Sequence, residues 1–293
     1  MAHQTQRFQL RQEMHNRNYE IFHYRDVQLD NVAIHHHDFY EVFLFLGGNV
    51  EYSIEGRNYY LERGDILLIS PLELHQVRIN MDQEPYERYV LWLDARYLSS
   101  LSTLNTSLTA CFDASRPNHT NLLRTSQDRW DSVLALIQKL ARETYGTAYG
   151  RDIAGTGLLL QLLVELNRMS IENDLVQETA DHSSVLIARV LDYIGRHYNE
   201  ALSLDRLAGE FYISKYYLSH EFNRVVGTSV YRYIVLKRLN IAKQMLRDGV
   251  PACDAALNCG YRDYANFYRA FKDEYGLSPK HYAEWARRRR YAK

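Results

Sequence analysis

Two sets of residues in this chain combine types and spacings that could do chemistry. The first is His35–His36–His37–Asp38–Phe39–Tyr40–Glu41, with His75 further along. Side chains of an extended strand alternate between faces, so His35 and His37 fall on one side and Glu41 can join them inside a barrel. With His75 from another strand, three imidazoles and a carboxylate would suit Zn, Fe, Mn or Ni. The same groups would serve as hydrogen-bonding partners for an organic ligand, or simply as core histidines. The residues leave these readings open: His35, His37, Glu41 and His75 are the ligand-binding candidates, they are also the ligands of a metal if one binds, and no other cofactor is indicated.

The second set lies in the last third, on two predicted outward helix faces. One presents Lys215, Tyr216, Ser219, His220, Asn223 and Arg224; the other presents Tyr264, Asn266, Tyr268, Arg269 and Lys272. Arg can take guanine and Asn can take adenine through paired hydrogen bonds. Lys215, Arg224, Lys237, Lys272 and the run Arg287–Arg290 suit phosphates. From Ser183 onward there are 19 Lys and Arg against 11 Asp and Glu, a net of +8, whereas the preceding residues carry −9. A basic segment behind an acidic one points to a polyanion as the partner of the last third alone.

Elements must hold both sets in place. At about 150 residues per domain, 293 residues suggest two domains. Between Tyr19 and Leu93, period-2 alternation (Val50, Tyr52, Ile54) and turn signals at Glu55–Gly56–Arg57–Asn58 and Arg63–Gly64–Asp65 predict short strands closing a barrel or sandwich. Two helices follow up to Asn173, one with Trp130, Val133, Ile137 and Leu140 on a single face. The other carries a leucine stripe (Leu158, Leu159, Leu162, Leu163, Leu166) that reads either as a cap on the barrel or as a dimer seam.

The last third repeats itself. At an offset of 49 residues, Leu218 aligns with Phe267, Phe222 with Phe271, Gly227 with Gly276, Ser229 with Ser278 and Tyr233 with Tyr282. Each copy reads as helix, tight turn, capped second helix, glycine stop and a new capped helix, with one long helix over 231–247 joining them. The expected architecture is multi-domain α+β: a β-barrel with a helical dimerisation region over 1–173, a linker over 174–184, and an all-α domain of two helix-turn-helix units over 185–293. A helix pair of this kind lets its second helix enter a DNA major groove while the first braces it.

Composition sets bounds on function. No apolar run reaches the roughly 18 residues of a membrane helix, and Met1–Gln12 lacks the apolar stretch of a secretory signal. Three cysteines (Cys111, Cys253, Cys259) without metal-site spacing read as buried thiols of a reducing compartment. Cytoplasm, with no membrane contact, is the expectation.

The run Leu204, Leu207–Ala208, Ser214, Leu218, Phe222, Gly227–Thr228–Ser229, Arg238–Leu239, then Gly260–Tyr261, Phe267–Tyr268–Arg269–Ala270–Phe271–Lys272 and Gly276–Leu277–Ser278–Pro279 resembles the AraC/XylS-type regulators. His-x-His-x3-Glu with a later His resembles a cupin barrel. These resemblances imply a sequence-specific transcription regulator, not an enzyme, that reads double-stranded DNA through two recognition helices. They imply also a small-molecule effector in the barrel, a homodimer, and RNA polymerase as a partner if the outcome is activation. The many barrel tyrosines suit a sugar. Two other readings stand beside this one: a ligand-independent regulator whose barrel only dimerises, and a metal-dependent cupin enzyme fused to a DNA-binding domain. The family carries isoleucines where this chain has Ala252 and Ala255, so packing there is expected to be looser, or rebuilt around Tyr261.

Overall fold

β-Branched and aromatic runs punctuated by glycine turns build the first part of the chain. The structure is a computed structural model that describes residues 12–291, apart from 17, 30, 72, 81–83, 115, 117–118 and 174–181. It forms two compact units, one drawn from the first 179 residues and the other dominated by 180–293.

In the first unit the strands are β1 (Tyr19–Asp26), β2 (Val32–His35), β3 (Tyr40–Gly47), β4 (Val50–Ile54), β5 (Arg57–Tyr60), β6 (Ile66–Ile69), β7 (His75–Ile79), β8 (Tyr86–Leu93) and the short β9 (Leu122–Leu123). They pair as a five-stranded sheet, β1-β8-β3-β6-β9, and a four-stranded sheet, β2-β7-β4-β5. The hairpin between β4 and β5 turns on Glu55 and Gly56, both with positive φ (46° and 73°), as a two-residue connection that matches strand twist requires.

The five-stranded sheet is buried on both faces. One face meets the second sheet across a core containing Phe43, Phe45, Tyr52, Ile54, Leu67, Val77 and Trp92. The other, with Val42, Leu44, Ile66, Leu68 and Leu91, packs on α2 (Gln127–Tyr145) and α3 (Arg151–Asn173). That double burial is why β3, β6 and β8 read as nearly continuous apolar runs. The leucine stripe of α3 belongs to this core: Leu159, Leu162, Leu163 and Leu166 are fully buried within the protomer. The cap reading describes the stripe, and these leucines do not form a seam between copies. Between β8 and α2 runs a short helix, α1 (Ala95–Leu101), with Asp94 capping it.

The expected linker, 174–184, lies mostly outside the described residues; its last three positions open α4 (His182–His197). The second unit continues with α5 (Leu204–Glu210), α6 (Lys215–Val226), α7 (Val230–Arg247), α8 (Ala252–Asn258), α9 (Tyr264–Tyr275) and α10 (Pro279–Tyr291). Local chemistry sets these limits. The Ser214 and Ser229 hydroxyls accept from the Tyr217 and Arg232 amides at 3.1 and 3.2 Å, and Asp263 accepts from the Ala265 amide at 2.8 Å. Gly227 and Gly276 end α6 and α9 in the left-handed region at φ 74° and 72°.

Cys111 and Cys259 are buried, and burial pushes each thiol up to about 12. Cys253 departs from the sequence expectation: it sits on the outer side of α8 and is exposed. Among the described residues, no helix is long and apolar enough to cross a membrane.

Candidate nucleic-acid interface and sensor site

Each helix-turn-helix unit buries one stripe of its second helix and leaves the other stripe bare. In α6 Leu218, Phe222, Val225 and Val226 point inward; in α9 Phe267 and Phe271 do. Lys215, Tyr216, Ser219, His220, Asn223 and Arg224 on α6, and Tyr264, Asn266, Tyr268, Arg269 and Lys272 on α9, are all exposed. The two faces differ in electrostatics. On α6 Arg224 donates through Nε and Nη2 to Glu221 Oε2 at 3.0 and 2.7 Å, and His220 Nδ1 lies 3.2 Å from Glu221 Oε1. The hydrogen bond from Arg224 holds the Glu221 carboxyl below its usual range, so this face carries a fixed negative charge. On α9 Arg269 Nη2 donates to the neutral Asn266 Oδ1 at 2.6 Å.

The bracing is equally specific. Arg238 of α7 donates to the backbone oxygens of Tyr198 and Glu200 at 2.7 and 2.6 Å, tying the long helix to the segment after α4. Its guanidinium lies 5.7 Å from the Tyr261 ring, whose own neighbour is Phe267 at 5.3 Å. Ala255 and Ala256 are buried beside Phe267, and Tyr261 packs, partly buried, against the same cluster. Arg287 and Arg288 of the basic run on α10 are exposed.

His37, Glu41 and His75 each offer one ligand atom within 4.8 Å of the others, all three residues being buried. His35 is not in that group. β2 ends at His35, so the strict alternation that would align it with His37 stops one residue too early. Glu41 Oε2 accepts from Trp92 Nε1 at 2.9 Å, and His75 Nδ1 lies 2.9 Å from the Glu73 carbonyl. A backbone carbonyl on one ring nitrogen turns the other toward the cluster, the usual way a metal-binding imidazole is oriented. Two histidines and a carboxylate are a donor set that zinc or non-haem iron accepts.

The same barrel face carries polar groups that the histidine motif does not announce. Arg88 of β8 donates to Asp26 Oδ2 at 2.6 Å and lies 4.0 and 4.8 Å from the ring centres of Tyr86 and Tyr24. Burial pushes the Tyr24 hydroxyl up to about 12 and Tyr86 higher still, so both stay protonated. The alternation Tyr86, Arg88, Val90, Trp92 was the available signal. Its meaning depended on the pairing of β1 with β8, Tyr24 with Arg88 and Asp26 with Tyr86, which are far apart in sequence.

Comparison with known proteins agrees with both halves. Residues 18–163 match the AraC-like ligand binding domain, and residues 207–285 match a helix-turn-helix domain. The HTH-type transcriptional activator RhaS of Escherichia coli O157:H7 is 25% identical over 251 residues, covering 84% of this chain and 85% of that protein. Among solved structures, ToxT of Vibrio cholerae with a bound unsaturated fatty acid aligns over 93% of this chain and 97% of its own (14% identity, TM-score 0.41). The DNA-binding domain of AdpA in complex with a target DNA aligns over 35% of this chain and 94% of its own (25% identity, TM-score 0.34). With a ligand-binding barrel ahead of a duplicated helix-turn-helix reader, the chain belongs to the AraC family of DNA-binding transcription regulators.

Proposed function

We propose that this protein is an effector-controlled regulator whose barrel holds a small molecule, with a sugar as the ligand class its tyrosines suit. It acts as a homodimer in the cytoplasm and meets RNA polymerase where it activates. The observation that carries the reading is the pair of bare polar faces on α6 and α9, mounted on capped helices in the same chain as a β-sandwich with buried polar groups. Lys215, Tyr216, Ser219, His220, Asn223, Arg224, Tyr264, Tyr268, Arg269 and Lys272 are its DNA-contacting residues. A ligand biases such a regulator only by its difference in affinity for the two states. The test is a promoter-reporter assay paired with a mobility-shift titration of the full chain. Binding should weaken steeply as salt rises, because counterion release drives it. A salt-independent complex would refute the DNA reading.

The His37–Glu41–His75 cluster supports a second reading, in which the barrel holds a divalent metal. Elemental analysis of the purified protein decides it: stoichiometric metal that is lost in His75→Ala establishes the site, and metal-free protein with an unaltered His75→Ala variant removes it.

A further inference from the structure

The two helix-turn-helix units share α7. Its first half packs on the first unit, where the Tyr233 ring lies 5.6 Å from Phe222, and its second half gives Leu239, Ala242 and Leu246 to the core of the second. One shared helix sets the distance between two units but leaves them free to rock about it. A second connection removes that freedom, and the turn between α4 and α5 supplies one. Tyr198 of this turn packs, partly buried, against the core of the second unit. The Asn199 backbone lies against Gly260, so closely that a Cβ there would stand 2.5 Å from the Asn199 carbonyl oxygen. On its other side the turn is tied to the first unit. Glu200 Oε2 accepts from Arg206 Nη2 of α5 at 2.5 Å, and Arg206 Nη1 donates to the Ala201 carbonyl at 3.1 Å.

Arg238 holds this turn from the middle of α7. Nε and Nη2 donate to the Tyr198 and Glu200 carbonyls at 2.7 and 2.6 Å, and the guanidinium lies 5.7 Å from the Tyr261 ring centre of the second unit. The side chain is half-buried, so water competes with these bonds less than it would at the surface. A planar fork spanning two carbonyls is a geometry that lysine does not reproduce. The other strut, Arg232 of α7 to Glu274 of α9 at 2.6 Å, has its arginine 49% exposed, where an ion pair is worth little.

We propose that Tyr198–Asn199–Glu200, gripped by Arg238, is a clasp that locks the two readers at one separation and phase, so that the protein selects DNA by the spacing of its two contacted segments as well as by their bases. The inference rests on α6 and α9 as the two DNA-contacting helices and adds spacing to what they read. One base pair added between the segments moves the second by about 3.4 Å and turns it by about 34°. A hinged pair of readers follows that shift; a clasped pair gives up contacts at one segment.

The experiment uses the full-length protein and a duplex that it selects from a randomised pool. Interference footprinting maps the segments contacted by α6 and α9 of one protomer. Duplexes with one base pair added or removed between those segments are then titrated against the wild type, Arg238→Lys and Tyr198→Ala. The wild type should lose about tenfold or more in affinity on either altered spacing, and in both variants that penalty should fall to about threefold or less. This ratio separates a clasp from simple loss of stability, because a smaller folded fraction weakens binding to every duplex by the same factor. A wild type indifferent to spacing, or variants that keep the full penalty, overturns the clasp while two footprinted segments leave both readers standing. A single footprinted segment per protomer fails the two-reader reading and the clasp with it.

Discussion

The two helix-turn-helix units solve one folding problem with different residues. Their second helices, glycine stops and following caps stand 49 positions apart, but their leading helices, α5 and α8, stand 48 apart, so the second turn holds one residue more. The hydrogen bonds at the start of the turn are shared: the Ile213 amide donates to the Ala208 carbonyl and the Tyr261 amide to the Ala256 carbonyl, both at 3.0 Å. The residue before each takes positive φ, Tyr212 at 54° and Gly260 at 81°. What separates them is the neighbourhood. A Cβ on Gly260 would stand 2.5 Å from the Asn199 carbonyl oxygen, whereas Tyr212 is 97% exposed. Glycine in the second turn is thus imposed by an adjacent backbone as well as by its own conformation, and in the first unit nothing imposes it. The readout faces differ in the same spirit, Arg224 being held by a charged partner and Arg269 by a neutral one.

The largest effect should come from Gly260→Ala. A left-handed non-glycine residue costs about 1–3 kcal/mol and forced overpacking adds roughly the same again, so about 3 kcal/mol or more of stability should be lost in urea unfolding. The matched change in the first unit, Tyr212→Ala, should cost far less. Equal losses at the two positions would end the distinction drawn between the turns.

This contrast also marks how much the sequence could tell. Caps at Ser214, Ser229 and Asp263, stops at Gly227 and Gly276, and the inward apolar stripes are local features that side-chain type alone specifies. The one-residue difference between the turns escaped an alignment anchored on the second helices, because at an offset of 49 Tyr261 falls on Tyr212, alike in type, although the positive-φ residues Tyr212 and Gly260 stand 48 apart. In the barrel the limit is contact order. The Glu41–Trp92 hydrogen bond spans 51 positions and the Asp26–Arg88 pair spans 62, and neither has a short-range signature. The leucine stripe shows the opposite ambiguity: apolar periodicity on α3 predicts that a face is buried without saying against what, and the answer is the sheet and α2.

Next in size is the loss of a base contact. Arg269→Ala should cost about 1–3 kcal/mol on a cognate site and relax preference at one base pair. Arg224→Ala should cost less, because Glu221 already offsets its charge. Parallel mobility-shift titrations on cognate and random duplexes measure both; a larger and more sequence-specific loss for Arg224→Ala would reverse the ranking of the two units.

Glu221→Gln sharpens the same comparison with a smaller effect. Removing the carboxylate removes the charge that offsets Arg224 and so favours its contact with a phosphate, which should steepen the log–log salt slope by up to about 0.9 and make a fourfold dilution of salt worth up to roughly threefold more affinity than in the wild type. An unchanged slope would show that Glu221 orients Arg224 without restraining its charge. The equivalent position of α9 is Ala270, so no comparable release is available in the second unit.

The smallest effect belongs to Tyr212→Gly. Relief of the left-handed strain favours the variant by about 1–2 kcal/mol. Against that, glycine adds unfolded-chain freedom that costs roughly 0.4–1 kcal/mol. The net should be a gain of about 0.5 kcal/mol, read as a small rise in the urea midpoint with an unchanged slope. Because the ring is fully solvated, no packing is lost to oppose it. DNA affinity should stay within twofold of the wild type if Tyr212 serves only as a turn residue. A stability gain accompanied by weaker DNA binding would give the strained tyrosine a contact that the second unit, with glycine at that place, does not make.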